Sequence, residues 1–169
     1  GRQENQSKSF RRDRMMETVY DFRQSEDLNK YLVMANDEFP DATIALQQGD
    51  TPLFSIGDIS TITGLPKSRK TFLFSSLVAG FLKPDGFMSV CSELDEKRLL
   101  FVDTEQSKRF VWLLVKRIYR LMGWDYNDPH TDVLRVVALR ELTPEKRWET
   151  TKKLIDGFRP NLVFIDGSA

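Results

Sequence analysis

A short polar loop carries the residues with the most evident chemistry. Residues 64–71 read GLPKSRKT and fit the pattern G-x-x-x-x-G-K-[ST], except that Arg69 stands at the second glycine. In such a loop, successive backbone N–H groups and the N-terminus of the next helix form a concave anion site. The lysine reaches the outer phosphates and the hydroxyl binds Mg²⁺, roles that fall here to Lys70 and Thr71. The loop therefore predicts a phosphate-binding site.

The alternative for this loop is a basic turn that caps an ordinary buried helix. Glycine at the second position allows backbone angles and a close phosphate approach that a side chain hinders. Arg69 either turns outward or adds a cation beside the phosphates, and the sequence leaves both open. The predicted nucleotide-binding residues are Gly64, Leu65, Pro66, Lys67, Ser68, Arg69, Lys70, Thr71 and Phe72.

Acidic residues follow two of the apolar runs. Asp166 ends the run LVFI, where a carboxylate can hold Mg²⁺ together with Thr71; the alternative is a strand-end acid that caps a loop. Asp103 ends the run LLFV, and Glu105 lies beyond it. We expect Glu105 to orient and deprotonate water and Asp103 to orient its neighbours. The alternative for Glu105 is an acid in the first helical turn, favoured by the helix dipole.

Strand and helix signals alternate around these residues. β-branched residues predict a main strand over 59–63, and apolar runs predict further strands at 99–103, 134–139 and 162–166. Helices are predicted from the loop to about Lys83, from 107 to Gly123, and from 143 to about 157. The second helix has the apolar stripe Phe110, Leu113, Leu114, Ile118 and Leu121. This β-α-β-α-β-α-β order predicts a three-layer α/β fold with a parallel sheet that binds ligands at its carboxyl edge.

The rest of the chain divides by composition. Residues 1–9 are polar and predict a disordered tail, residues 10–50 predict a helical arm (helical to Met34) and linker, and 51–169 form the core. Short strands are expected at 53–56 and at 87–91. Net charge is zero, the single cysteine excludes an internal disulfide, and no apolar run reaches the roughly 18 residues of a membrane span. We expect a cytoplasmic protein without a membrane partner. Trp112, Trp124 and Trp148 are expected to pack rather than stack on bases.

Three segments together resemble the RecA-like P-loop ATPases. Residues 57–64 (GDISTITG) through Thr71 resemble the first strand and Walker A loop of RecA, KaiC and hexameric replicative helicases. Residues 100–105 (LFVDTE) resemble the strand followed by the catalytic glutamate, and residues 162–166 resemble Walker B. Residues 67–72 (KSRKTF) and 103–107 (DTEQS) are also similar to RepA-like, AAA-type ATPases of Bacteroides-group mobile elements.

This resemblance implies ATP hydrolysis with Mg²⁺, with Glu105 and Lys70 as catalytic residues. It implies a DNA helicase or related motor in the replication or mobilisation of a mobile element, with single-stranded DNA as partner and a homo-oligomeric ring as assembly. A RecA-like core has more strands than this chain, so we expect C-terminal strands to be missing after Ala169. Three alternatives remain: a nucleotide-binding regulator or assembly module without hydrolysis, a small-molecule phosphotransferase, and a structural remnant without ligand.

Overall fold

The computed structural model of the protein describes residues 31–62 and 70–167. Those from Ala42 onward belong to one compact unit, and residues 31–41 belong to another. The predicted tail and most of the predicted helical arm lie outside the described residues. In chain order, the elements of the larger unit are β1 (Ile44–Gln48), β2 (Thr51–Ser55), α1 (Lys70–Leu82), β3 (Val90–Cys91), β4 (Leu99–Asp103), α2 (Lys108–Met122), β5 (Leu134–Ala138), α3 (Pro144–Phe158) and β6 (Leu162–Asp166).

Residues 31–41 contain neither helix nor strand, so the prediction of a helix reaching Met34 is wrong at its described end. The side chains of Tyr31 and Val33 are largely exposed, so no packed apolar face supports a helix there. The N–H of Met34 instead donates to the Asp37 carboxylate at 2.7 Å. Such local side-chain bonds compete with helical hydrogen bonding.

The three C-terminal strands form a parallel sheet in the order β5-β4-β6. All five residues of the central strand β4 are buried, as expected for a strand covered on both faces. The register places Asp103 opposite both Ala138 and Asp166. The carboxyl ends of the three strands therefore lie side by side, and the prediction of a parallel α/β sheet is confirmed for these strands.

Helices cover both faces of this sheet. Phe74 of α1 contacts Phe101 of β4 and Phe164 of β6, with ring centroids 5.5 and 5.3 Å apart. Ile118 of α2 belongs to the same core cluster. On the opposite face, Phe158 of α3 packs with Leu100, Val102 and Leu139. The layers are thus α1 and α2, the sheet, and α3.

A second sheet is antiparallel, with the order β2-β1-β3. The strands predicted near 53–56 and 87–91 are present as β2 and the two-residue β3, but β1 was not predicted. Its five residues IALQQ alternate poorly, and it forms a strand through pairing with β2 and β3 on either side. The molecule therefore has an antiparallel sheet in addition to the predicted parallel one, and β1 is its unpredicted central strand.

The predicted main strand at 59–63 is also wrong over its described part, because residues 58–62 form no strand. Ile59 is 97% exposed. β-branched residues favour a strand only where a partner strand and a packing surface are available. Among the described strands none pairs with this segment, and β6 forms one edge of the parallel sheet.

The helix boundaries agree with the sequence signals. α1 ends at Leu82, and Gly123 closes α2 in the left-handed conformation at φ 73°. Thr143 caps α3 by accepting a hydrogen bond from the N–H of Lys146, and Pro144 is the first helical residue. The predicted stripe of α2 is only partly correct, since Phe110 and Leu113 are exposed while Val111, Leu114 and Ile118 are buried.

Candidate functional site

The order in which the chain adds strands to the parallel sheet reverses between β4 and β6. From β4 the chain passes through α2 to β5 on one side, and it returns through α3, on the opposite face, to β6 on the other side. In open α/β sheets, ligands bind in the crevice at the carboxyl ends of the strands where the order reverses. Asp103 and Asp166 end the two strands at this point and lie opposite each other.

Asp103 holds the turn that follows β4. Its side chain is fully buried, and Oδ1 accepts hydrogen bonds from the backbone N–H of Glu105 at 3.0 Å and of Gln106 at 2.6 Å. Oδ2 accepts from Nε2 of Gln106 at 2.8 Å. The carboxylate thus organises its neighbours, as expected from its position next to the sheet, and fixes the backbone of Glu105.

Gln106 links the two strand-end acids. Besides its bond to Asp103, its Nε2 lies 3.4 Å from Oδ2 of Asp166. Gln106 was not predicted from the sequence as a site residue. A glutamine three positions after a strand-end aspartate is a weak signal by itself, because its second partner lies 60 residues further along the chain.

The backbone also joins the two strand ends. The N–H of Thr104 donates to the carbonyl of Asp166 at 2.9 Å, and its hydroxyl lies 3.3 Å from the same oxygen. Gly167 follows with φ 138°, and a Cβ at this position would overlap the Thr104 hydroxyl. Gly167 is therefore a second site residue that sequence reasoning missed, although a glycine directly after a strand-end acid was visible.

Asp166 lies in a conflicting electrostatic environment. Burial is the main effect that raises the pKa of its carboxyl group, and the carboxylates of Asp103 and Glu105 raise it further. Lys70 and the hydrogen bond from Gln106 lower the pKa in part. Lys70 and Glu105 therefore each lie near enough to Asp166 to influence its carboxyl group.

The packing of α1 explains how Lys70 reaches this crevice. Lys70 is the first residue of α1, and Phe74, one turn later, contacts Phe101 and Phe164. Each of these rings lies two residues before a strand-end acid. The N-terminus of α1 therefore lies at the carboxyl edge of the sheet, where its dipole favours anions.

Of the other predicted nucleotide-binding residues, the structure describes only Thr71 and Phe72. Thr71 lies in the first turn of α1, and its carbonyl accepts a hydrogen bond from the Ser75 hydroxyl at 2.8 Å. Phe72 is half-exposed. The predicted phosphate-binding residues Gly64, Leu65, Pro66, Lys67, Ser68 and Arg69 lie outside the described residues.

Glu105 is not a first-turn helix acid. Ser107 is the N-cap of α2, and the first turn of α2 contains no acidic residue. Glu105 lies two residues before this cap, in the turn held by Asp103. The helix-dipole explanation for an acid at this position is therefore wrong.

The oxygen donors at this edge suit Mg²⁺ only in the presence of a further ligand. No group of three or more His, Cys, Asp or Glu residues within 31–62 and 70–167 could hold a metal ion. Asp166 supplies one half-buried carboxylate, and Thr71, in the first turn of α1, supplies a hydroxyl. Mg²⁺ in phosphate sites is held by one or two carboxylates and the substrate phosphates, so this donor set fits a Mg²⁺–nucleotide complex.

The tryptophans do not share one role. Trp124 packs as expected, stacking on His130 with ring centroids 3.8 Å apart. Trp112 and Trp148 are 51% and 70% exposed, so the expectation that they pack is wrong for both. In the described part of the chain, no helix is long and apolar enough to cross a membrane.

Comparison of the chain with protein-family models, curated proteins and solved structures gives no match.

Proposed function

We propose that this chain is a RecA-like P-loop domain that binds and hydrolyses ATP. One observation supports the proposal most strongly: Lys70 and Glu105 both act electrostatically on Asp166, which lies where the strand order reverses. A cation at a helix N-terminus, a strand-end carboxylate and a second carboxylate in the turn after the neighbouring strand are the groups that phosphoryl transfer to water requires.

Each residue then has a defined task. Lys70 and the N–H groups at the start of α1 bind the phosphates. Asp166 and Thr71 would hold Mg²⁺, which supplies charge neutralisation on the phosphate oxygens when it is bound. Water attacks the γ-phosphorus, Glu105 accepts the water proton, and the bond to the β-phosphate oxygen breaks, giving ADP and phosphate.

The fixed turn after β4 supports this assignment of Glu105. Asp103 accepts hydrogen bonds from the backbone N–H groups of Glu105 and Gln106, so the backbone of the proposed base is fixed at the end of β4. Preorganisation of this kind positions a catalytic group without a cost at the moment of reaction. By the same resemblance, we propose that the ATPase drives a DNA motor that assembles as a homo-oligomeric ring.

The test is to compare Glu105→Gln with the unchanged protein in ATP binding and in phosphate release. We expect binding to persist and turnover to fall by about 10²–10⁴-fold, the usual contribution of a positioned base. Glu145→Gln is the matched control, because Glu145 is a true first-turn acid of α3. Unchanged turnover in Glu105→Gln would contradict the proposal.

A non-hydrolysing nucleotide-binding regulator is the second candidate, and Arg69 in place of the loop glycine favours it. This candidate predicts ATP binding without phosphate release in the unchanged protein. It also predicts equal ATP affinity in the unchanged protein and in Glu105→Gln, with no turnover in either.

A further inference from the structure

Helix α2 has an unusual charge distribution. Its 15 residues contain five cations and no carboxylate, whereas the whole chain has 25 basic and 25 acidic residues. Val111, Leu114 and Ile118 form its buried side. At 3.6 residues per turn, the opposite side carries the residues that we call the α2 basic face. The α2 basic face consists of Arg109, Trp112, Leu113, Lys116 and Arg120.

This face combines cations with exposed apolar side chains. Trp112 is 51% exposed and Leu113 is 43% exposed. The Lys116 ammonium lies 4.5 Å from the centre of the Trp112 ring and 5.0 Å from that of Tyr126. An indole flanked by cations can stack on a base while the cations contact phosphates.

Helix α3 provides an internal comparison. It also exposes a tryptophan, Trp148, but two of its four cations pair with carboxylates on the same helix. Lys152 pairs with Asp156 at 3.5 Å, and Lys153 pairs with Glu149 at 2.6 Å. The ion pairs found among residues 31–62 and 70–167 include none of the five α2 cations. The positive charge of the α2 basic face is therefore not compensated by neighbouring carboxylates there.

We propose that the α2 basic face binds single-stranded nucleic acid. Arg109, Lys116 and Arg120 contact the phosphates, and a base stacks on Trp112. Uncompensated positive charge complements the phosphate backbone. The exposed indole selects a single strand, because stacking on a side chain requires a base that is free of its own helix. This inference does not depend on nucleotide hydrolysis at the sheet edge.

The experiment measures fluorescence anisotropy of labelled dT20 and rU20 with the full chain, without any nucleotide and over a series of salt concentrations. Trp112→Ala should weaken binding at least about fivefold, the lower limit for loss of one stacked base. Arg109→Gln with Arg120→Gln should lower the slope of log affinity against log salt by about 1.4, because each single-strand phosphate contact contributes about 0.7.

The α3 variants are matched controls. Trp148→Ala, and Lys152→Gln with Lys153→Gln, remove an exposed tryptophan and two cations from a helix in which those cations are paired, and they should leave affinity and slope unchanged. Circular dichroism melting verifies that every variant is folded. Tighter binding of dT20 would identify DNA, and tighter binding of rU20 would identify RNA.

Four results would overturn the proposal. They are no binding of either oligonucleotide, equal losses in the α2 and α3 variants, equal or tighter binding of a 20-base-pair duplex, and binding only to vesicles that contain phosphatidylserine. Because no nucleotide is present, failure of ATP hydrolysis would leave each of these results unchanged.

Discussion

The two acids that end β4 and β6 differ because their surroundings differ. Asp103 is fully buried, and three hydrogen bonds satisfy its carboxylate. Asp166 is only half-buried, and burial and neighbouring carboxylates raise its pKa. Asp103 is therefore a positioning residue, whereas Asp166 carries charge that a cation would stabilise.

Asp166→Asn should stabilise the protein at neutral pH in the absence of metal. The folded-state pKa of Asp166 lies above the ordinary value of 3.8, so its contribution to stability is lost as pH rises from 3.8 through the folded-state pKa. Thermal melting should therefore give a higher Tm for Asp166→Asn at pH 7 and an equal Tm below about pH 3.8.

The same variant should lose its response to Mg²⁺-ATP, because the carboxylate proposed to hold the cation is gone. A lower Tm than that of the unchanged protein at pH 7, or an unchanged response to Mg²⁺-ATP, would contradict the role given to Asp166.

Gln106→Ala should lower the free energy of unfolding by about 1–3 kcal/mol, since Oδ2 of the buried Asp103 carboxylate loses its partner. Gln106→Glu retains the size but places a third carboxylate between Asp103 and Asp166. It should destabilise the protein more than Gln106→Ala at pH 7. Urea unfolding measures both, and equal stability of all three proteins would show that Gln106 does not link the two strand ends.

At the scale of single residues, the sequence predicts those site residues that can be recognised from their immediate neighbours in the chain. An acid that ends an apolar run identifies Asp103 and Asp166. The roles of Gln106 and Gly167 depend on the register between strands that lie about 60 residues apart, which no local pattern contains.

At the scale of elements, the junction of β4 and β6 depends on Gly167. Gly167→Ala should destabilise the protein by about 1–3 kcal/mol, since φ is 138° and the added Cβ would overlap the Thr104 hydroxyl. Gly157→Ala, in α3 with no atom within 4 Å of the new Cβ, should stabilise it by about 0.4–1 kcal/mol. Calorimetric melting compares the two, and similar effects would contradict a tight β4–β6 junction.

The elements that the sequence predicts correctly have strong patterns and clear ends. Buried apolar runs predict β4, β5 and β6, and the Thr143-Pro144 pair predicts the start of α3. β1 has a weak pattern and forms a strand, whereas the segment at 58–62 has a β-branched pattern and forms none. The reason is that pairing with a partner decides whether a short segment becomes a strand. The stripe of α2 is misjudged at Phe110 and Leu113 because apolar spacing does not reveal which side a neighbour covers.

At the scale of the molecule, the alternation of strands and helices predicts a mixed α/β fold with a parallel sheet. It does not predict the second, antiparallel sheet, whose strands are short and weakly patterned. The position of the site follows from topology, because the α2 and α3 connections lie on opposite faces of the sheet and the strand order reverses between β4 and β6. Packing of Phe74 then brings the start of α1 to the same edge.

The proposed function rests on the claim that Lys70 binds the phosphates of ATP, and calorimetric titration of Mg²⁺-ATP measures this binding. The unchanged protein and Lys146→Ala, which removes an exposed lysine of α3, should bind with equal affinity. Lys70→Ala should not bind measurably, and only the two binding proteins should gain about 2.7 kcal/mol of stability at 100 times Kd. Equal binding by Lys70→Ala, or no binding by the unchanged protein, would contradict the claim.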